Sequence, residues 1–411
     1  SGWSMLSVVR SVKSCVNPCW TKNIVVGGPF RSSAPLIANA TLHSTRQRFA
    51  VLGAELTKGA SSAQKRRVGF WLLGCAGMCY GAVALGGVTR LTESGLSMVN
   101  WDLFRTMKPP LSEAEWVAEF DRYKQFPEYK FKSSSEEMTL GQFKFIWTME
   151  YTHRMWGRAI GLVFLLPCTY FWARGYFSRA MKGRMLVAGT LIGVQGLVGW
   201  WMVKSGLDPS SNSTDVPRVS QYRLATHLSL AFVLYSVFVW TGLTHVLHPA
   251  DHTKLAGIGK LRGLAHSSKT LVFITALMGA FVAGLDAGLV YNSWPKFADK
   301  WIPENMLSRS PTWKNFFENE VTVQFIHRNL AYLTLLSITS TWLVGRRMGL
   351  SRRAKIALHA SMAMAYTQAA LGISTLIYFV PVWLAALHQS GSMALLSCVL
   401  WLTNELRRVP K

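Results

Sequence analysis

Four of the ten histidines in this chain, His153, His227, His327 and His388, lie inside long apolar runs and at matching places. Neutral imidazole is a ligand for transition metals, and two imidazoles on facing helices suit the axial positions of a haem iron. One buried histidine would be explained as well by hydrogen bonding between helices. Two pairs in equivalent positions point instead to two iron-porphyrin sites. Glu150 lies one turn before His153 on the same helix face. The residue equivalent to it, one turn before His327, is Gln324. A carboxylate within an apolar run is costly and usually functional. The first pair is therefore assigned the reacting porphyrin, with Glu150 as acid, base or stabiliser of positive charge, and the second a permanent haem. The competing reading pairs Glu150 structurally with Arg154 or Arg158.

Arg90, Arg218 and Arg223 lie near the outer ends of the first and fourth runs, where porphyrin propionates need cations. Snorkelling to the interface accounts for them as well. Trp101 and Trp294 are read as interfacial belt residues. His245, His248, His252, His266 and His359 have no counterparts and are read as interfacial.

The elements that must carry these residues are legible in the composition. Half of the 411 residues are apolar and 16% are charged, which excludes an ordinary soluble protein. Eight apolar runs, 68–88, 145–172, 184–203, 222–246, 266–286, 321–344, 355–379 and 383–403, are each near the ~20 residues that cross a bilayer. The expected fold is all-α and integral to the membrane, with eight transmembrane helices. The formal charge of +24 is spread over short clusters between runs and not gathered into one patch, so no nucleic acid is expected as a partner. Basic clusters alternate with loops of mixed sign, the positive-inside pattern, which puts both termini on the basic side. The four histidines then lie about 6–13 Å below the opposite surface, counted along their helices.

Residues 1–60 carry scattered Lys and Arg among Ser, Thr and Ala, with Glu55 the single acid. That is the composition of a mitochondrial transit peptide. The basic side is then the matrix, and the histidine pairs lie toward the intermembrane space. Cys75, Cys79, Cys168 and Cys398 fall in apolar runs and are read as packing residues; Cys15 and Cys19 lie in the presequence. In the long outer loop 89–144, Ser112 and Glu115 make a capping box that opens a short amphipathic helix ending near Phe126.

The chain is duplicated. Glu93-Ser-Gly-Leu…Asn-Trp101 matches Asp286-Ala-Gly-Leu…Ser-Trp294, and His153-Arg154 matches His327-Arg328. Gln195-x-x-x-Gly199 matches Gln368-x-x-x-Gly372, and Leu224-Ala-Thr-His227 matches Ala385-Ala-Leu-His388. Two pseudo-symmetric four-helix bundles follow, 61–250 and 251–411, related by an axis along the membrane normal.

Through Glu150-Tyr-Thr-His153-Arg-Met-Trp-Gly-Arg158, Gly86-Gly-Val-Thr-Arg-Leu-Thr-Glu-Ser-Gly-Leu-Ser97, Arg223-Leu-Ala-Thr-His227, Gln324-Phe-Ile-His327-Arg328 and His388-Gln-Ser-Gly, the chain resembles the mitochondrial haem A synthase family. The resemblance covers roughly 65–411. It implies haem B on His327 and His388, and haem O near His153 and His227. It also implies oxidation of the haem O C8 methyl group to the formyl of haem A, for cytochrome c oxidase, with Glu150 matching the family's catalytic carboxylate. The implied partners are haem O synthase, a ferredoxin-type electron donor and inner-membrane lipid; a homo-oligomer is left open. The cysteine pair that some bacterial members carry in the first outer loop is missing from 89–144. From the residues alone, a di-haem electron-transfer cytochrome and a histidine-glued transporter or assembly scaffold stay open.

Overall fold

Several of the long helices begin where a polar side chain satisfies an orphan amide of the first turn. The structure is a computed structural model and describes residues 59–98, 101, 108–132, 137–207 and 218–408. Among them run eight helices of 24 residues or more: α1 (Ser62–Leu91), α2 (Leu140–Ala173), α3 (Arg179–Leu207), α4 (Gln221–Val246), α5 (Ile258–Gly284), α6 (Glu320–Gly345), α7 (Arg352–Ile377) and α8 (Val382–Glu405). Ser61 with Gln64, and Thr139 with Gln142, close reciprocal capping boxes at α1 and α2. Asn319 and Ser351 cap α6 and α7. Among the described residues the β-pairing is a single bridge, Phe297 to Lys300. The all-helical expectation holds. The transit-peptide reading of 1–60 falls, except for its last two residues, outside the described residues.

Five helices, α1, α3, α4, α5 and α8, are long and apolar enough to cross a membrane. α2 and α6 are as long, but they carry Glu150, His153 and Arg154, and Gln324, His327 and Arg328, at the positions singled out above. Leu166, Leu186, Leu197 and Leu336 are each more than 60% exposed on helix flanks, a surface suited to hydrocarbon and not to water. α5 starts at Ile258, eight residues before the expected run. Hydropathy marks the part of a helix that meets hydrocarbon, whereas backbone hydrogen bonding carries the helix on through polar Lys260, Arg262 and His266.

The helices pack in a repeated cycle. α1 touches α2 and α4, and α3 touches α2 and α4; α5, α6, α7 and α8 repeat this pattern. The halves meet through α1–α8, α4–α5 and α4–α8. One apolar cluster runs across that seam, from Leu72, Phe164, Met181 and Phe238 to Met393 and Leu396 of α8.

Between α1 and α2 the capping box at Ser112 and Glu115 opens a helix over Glu113–Tyr123, as expected. Phe120 and Tyr123 stack on Phe143 at 4.9 and 5.3 Å, and Trp116 meets Trp147 edge-on at 5.0 Å. Buried Tyr123 donates to Glu128 Oε2 at 3.1 Å, and burial with that carboxylate alongside pushes its phenol up. The loop helix is thereby fastened to the first turns of α2, one turn ahead of Glu150.

α1 and α4 cross at two glycines. A Cβ on Gly242 would lie 2.8 Å from Leu73 Cγ and 3.1 Å from the Gly69 oxygen, and one on Gly69 would lie 3.1 Å from the Gly242 oxygen. Small residues let backbones approach where lipid supplies no hydrophobic drive. Gly242→Val should therefore cost about 1–3 kcal/mol by overpacking and lower the thermal unfolding midpoint in detergent. Gly77→Val, in open space on α1, should leave that midpoint in place; equal shifts would show that the crossing is not what matters.

Candidate functional site

The four histidines stand on α2, α4, α6 and α8, and each ring lies against a glycine of the preceding helix. A Cβ on Gly86 would lie 2.8 Å from His153 Cε1, and one on Gly199 3.2 Å from His227 Cε1. Gly279 and Gly372 repeat this for His327 and His388, at 3.1 and 2.7 Å. The reason is steric: an imidazole projecting between two close helices needs a neighbour without a side chain. All four histidines are half-buried.

The structure brings the predicted pairs together. The rings of His327 and His388 have centroids 6.5 Å apart and planes at 87°. Two imidazoles that bind one metal ion, each through a nitrogen about 2 Å away, place their ring centres about 6 Å apart. The second pair has the ring spacing that an iron held between two imidazoles requires. His153 and His227 lie within electrostatic reach of each other. Gln389, next to His388, donates to the Val83 carbonyl of α1 at 2.7 Å and rests on Gly87, beside the Gly86 seat of His153. The two pairs are neighbours across the α1–α8 contact.

Glu150 is buried, 3% exposed, and its oxygens are fully engaged. Oε1 pairs with Arg154 at 2.5 Å, and Oε2 accepts from Ser97 Oγ at 2.7 Å and from the Met98 amide at 2.8 Å. Arg154 also donates to the Met98 carbonyl at 2.8 Å and lies 4.1 Å over the Trp101 ring. Of the two partners weighed for Glu150, Arg154 is the one found, and Trp101, read as a belt residue, is its platform. In the second half, Gln324 Nε2 donates to the carbonyls of Ala287 and Tyr291 at 2.9 and 3.1 Å. Arg328 is held by the carbonyls of Ser293, Pro295 and Lys296 and lies 3.8 Å over Phe297. The first loop turns donors toward a carboxylate; the second turns acceptors toward an amide.

Arg90 and Arg218 meet on one carboxylate. Arg90 pairs with Asp286 Oδ1 and Arg218 with Asp286 Oδ2, both at 2.9 Å, and Arg90 also donates to the Ala283 carbonyl at 3.0 Å. Arg223 stands apart, donating to the Trp201 carbonyl at 2.6 Å and lying 4.5 Å over that ring. Of the five histidines read as interfacial, His248, His266 and His359 are exposed. His245 and His252 are buried instead, because the Thr241 carbonyl satisfies His245 Nδ1 and the Ser351 amide donates to His252 Nε2. Cys75, Cys79 and Cys168 are free and buried, as packing residues would be.

Residues 69–400 match the family model described as Cytochrome oxidase assembly protein, COX15-CtaA. The chain belongs to that family. It is 58% identical over 351 residues to Heme A synthase COX15 of Homo sapiens, covering 85% of this chain and 85% of the relative. It is 41% identical over 370 residues to Heme A synthase COX15 of Saccharomyces cerevisiae, covering 84% and 76%. To Heme A synthase of the bacterium Rhodospirillum centenum it is 42% identical over 347 residues, covering 84% and 90%.

Within this COX15-CtaA chain, several residues of the site were out of reach of sequence reasoning. Ser97 and the Met98 amide carry no sequence signal as partners of Glu150. The pairs Gln195/Gly199 and Gln368/Gly372 stood out as repeat landmarks, but nothing in their spacing says that they face histidines. Asp286 was seen as the equivalent of Glu93. Both adopt left-handed φ, 49° and 50°, just after the ends of α5 and α1, which places an acid at the same turn of each half. The cluster around Asp286 gives a direct test. Asp286→Asn keeps a residue that tolerates that φ but leaves two cations unpaired. At this partial exposure it should cost about 1 kcal/mol, and less in an Arg90→Leu background, read as detergent unfolding midpoints in a double-mutant cycle. Additive effects would mean that the two groups do not interact.

Proposed function

We propose that this protein is a haem A synthase, an oxidoreductase that binds haem O at His153 and His227 and oxidises its C8 methyl group to the formyl of haem A. His327 and His388 hold a resident haem B. The observation that carries the reading is the 6.5 Å spacing of the His327 and His388 rings, set beside an equivalent histidine pair in the other half and relatives named Heme A synthase.

When bound, the iron porphyrins supply the redox centres. The chain does the rest. His153 and His227 fix the substrate's iron, and the seats at Gly86 and Gly199 hold their rings in place. Ser97, Met98 and Arg154 orient Glu150 in a low-dielectric setting, where a fixed carboxylate strongly stabilises positive charge developing on the porphyrin edge. Its counterpart Gln324 keeps the hydrogen bonding without the charge, in keeping with a half that holds haem and does not alter it. Arg90 and Arg218 serve the propionates from the Asp286 cluster; Arg223 does so from the end of α4.

The eight long helices all cross the mitochondrial inner membrane, as two four-helix bundles, 61–250 and 251–411, related by a pseudo-two-fold along the membrane normal. The equivalent α1–α8 and α4–α5 contacts support that symmetry. Both termini lie in the matrix and the histidine pairs toward the intermembrane space. Haem O synthase supplies the substrate, and a ferredoxin-type protein the electrons. The full engagement of Glu150 by Arg154 favours one other reading, a di-haem electron-transfer cytochrome in which Glu150 is purely structural.

Extraction and chromatography of haems from the purified protein during turnover separates the two. Haem O, hydroxylated or formyl species are expected beside haem B; haem B alone would favour the electron carrier, and no haem at all a scaffold. Glu150→Ala should keep bound haem and abolish haem A formation. His327→Ala or His388→Ala should each lose the resident haem.

A further inference from the structure

An imidazole that binds iron through one nitrogen carries its proton on the other, and that N–H must find an acceptor which fixes tautomer and ring direction. The helix before each histidine has a residue suited to this task, always four positions ahead of the seat glycine. For His327 it is the main-chain carbonyl of Thr275, 3.1 Å from Nδ1. The equivalent position on α1 is Ala82, but there Nδ1 of His153 is buried without a hydrogen-bond partner. For the other member of each pair the position holds a glutamine, Gln195 ahead of Gly199 and Gln368 ahead of Gly372.

Those glutamines already hold their histidines by one hand. Gln195 Nε2 donates to the His227 carbonyl at 3.1 Å, and Gln368 Nε2 to the His388 carbonyl at 2.7 Å, the latter also lying 3.1 Å from His388 Nδ1. The other hand is empty. Oε1 of both glutamines is buried without a hydrogen-bond partner, and so is Nδ1 of His227. Buried polar atoms without partners are rare and call for a cause. A carboxamide has one donor edge and one acceptor edge, which match the carbonyl and the Nδ1–H of a single histidine. On α8, Gly391 makes room for the Gln368 amide, since a Cβ there would overlap Oε1.

We propose that Gln195 and Gln368 are positioning residues for two iron-binding histidines: Nε2 donates to the main-chain carbonyl, and once the imidazole Nε2 binds iron the carboxamide turns so that Oε1, unpartnered here, accepts the Nδ1–H that Nε2 of Gln368 now faces. The imidazole Nε2 is thereby left as the ligating nitrogen. The second pair then combines one histidine steered by a main-chain carbonyl and one steered by an exchangeable side chain, so Gln368 sets the basicity of a ligand there. The proposal rests on the assignment of His388 as an iron ligand, and the experiment keeps the two apart.

Full-length protein carrying Gln368→Leu, Gln368→Glu or His388→Ala is titrated with haem B, and its low-spin ferric resonance and midpoint potential are recorded. Gln368→Leu should weaken haem binding about ten- to a hundredfold and alter the resonance. Gln368→Glu, a stronger acceptor, should restore binding and move the potential to more negative values. Wild-type affinity, resonance and potential in both glutamine variants would overturn the clasp. If His388→Ala binds haem as the wild type does, the ligand assignment itself fails, independently of Gln368. Should Gln368→Leu lose its helical circular dichroism, Gln368→Glu decides alone, and an unchanged potential in it overturns the proposal.

Discussion

Two imidazoles can share one iron only if their rings are held about 6 Å apart and turned with the ligating nitrogens inward. In a helical bundle that demand becomes a demand on helix spacing. A histidine side chain cannot project between two helices packed through ordinary residues. The chain answers with glycine at one place on each preceding helix, Gly86, Gly199, Gly279 and Gly372, so that the backbone itself forms one wall of every ring. The neighbouring crossing of α1 and α4 at Gly69 and Gly242 applies the same steric logic to backbone against backbone. Small residues thus do here what buried apolar area does in a soluble core.

Duplication supplies the frame, and departures from it supply the chemistry. Both halves turn through left-handed φ at an acid after the odd helix, Glu93 and Asp286, and both keep an arginine stacked on an aromatic ring one residue after a proposed ligand. What differs is the polarity of the loop. Around Glu150 it offers Ser97 Oγ–H and the Met98 N–H; around Gln324 it offers the carbonyls of Ala287 and Tyr291. A carboxylate in the second loop would face oxygens, and an amide in the first would leave donors competing. The surroundings of each residue therefore match its own charge state and disfavour an exchange of the two.

The seam between the halves matters as much as either half. Gln389 ties the residue after His388 to α1 beside the seat of His153, while Arg90 and Arg218 reach from the first half to Asp286 of the second. A shared apolar cluster lies beneath.

Much of this was written in one dimension. Apolar runs long enough for a bilayer, charge clusters of alternating sign, a duplicated order of landmarks and histidines on every second run are local or periodic properties, and they determined the helical class, the repeat and the candidates His153, His227, His327, His388 and Glu150. Helix ends were less legible, because hydropathy reports the solvent a segment meets, whereas hydrogen bonding carried α5 eight residues past it. Partnership was legible only within one helix, as for Glu150 and Arg154. That Trp101 carries Arg154, that Arg90 and Arg218 converge on one carboxylate, that His245 and His252 are buried, and that Gln195 and Gln368 face the histidines depends on which helix faces cross. Such crossings are set by packing between residues far apart in the chain, which no single-strand pattern encodes.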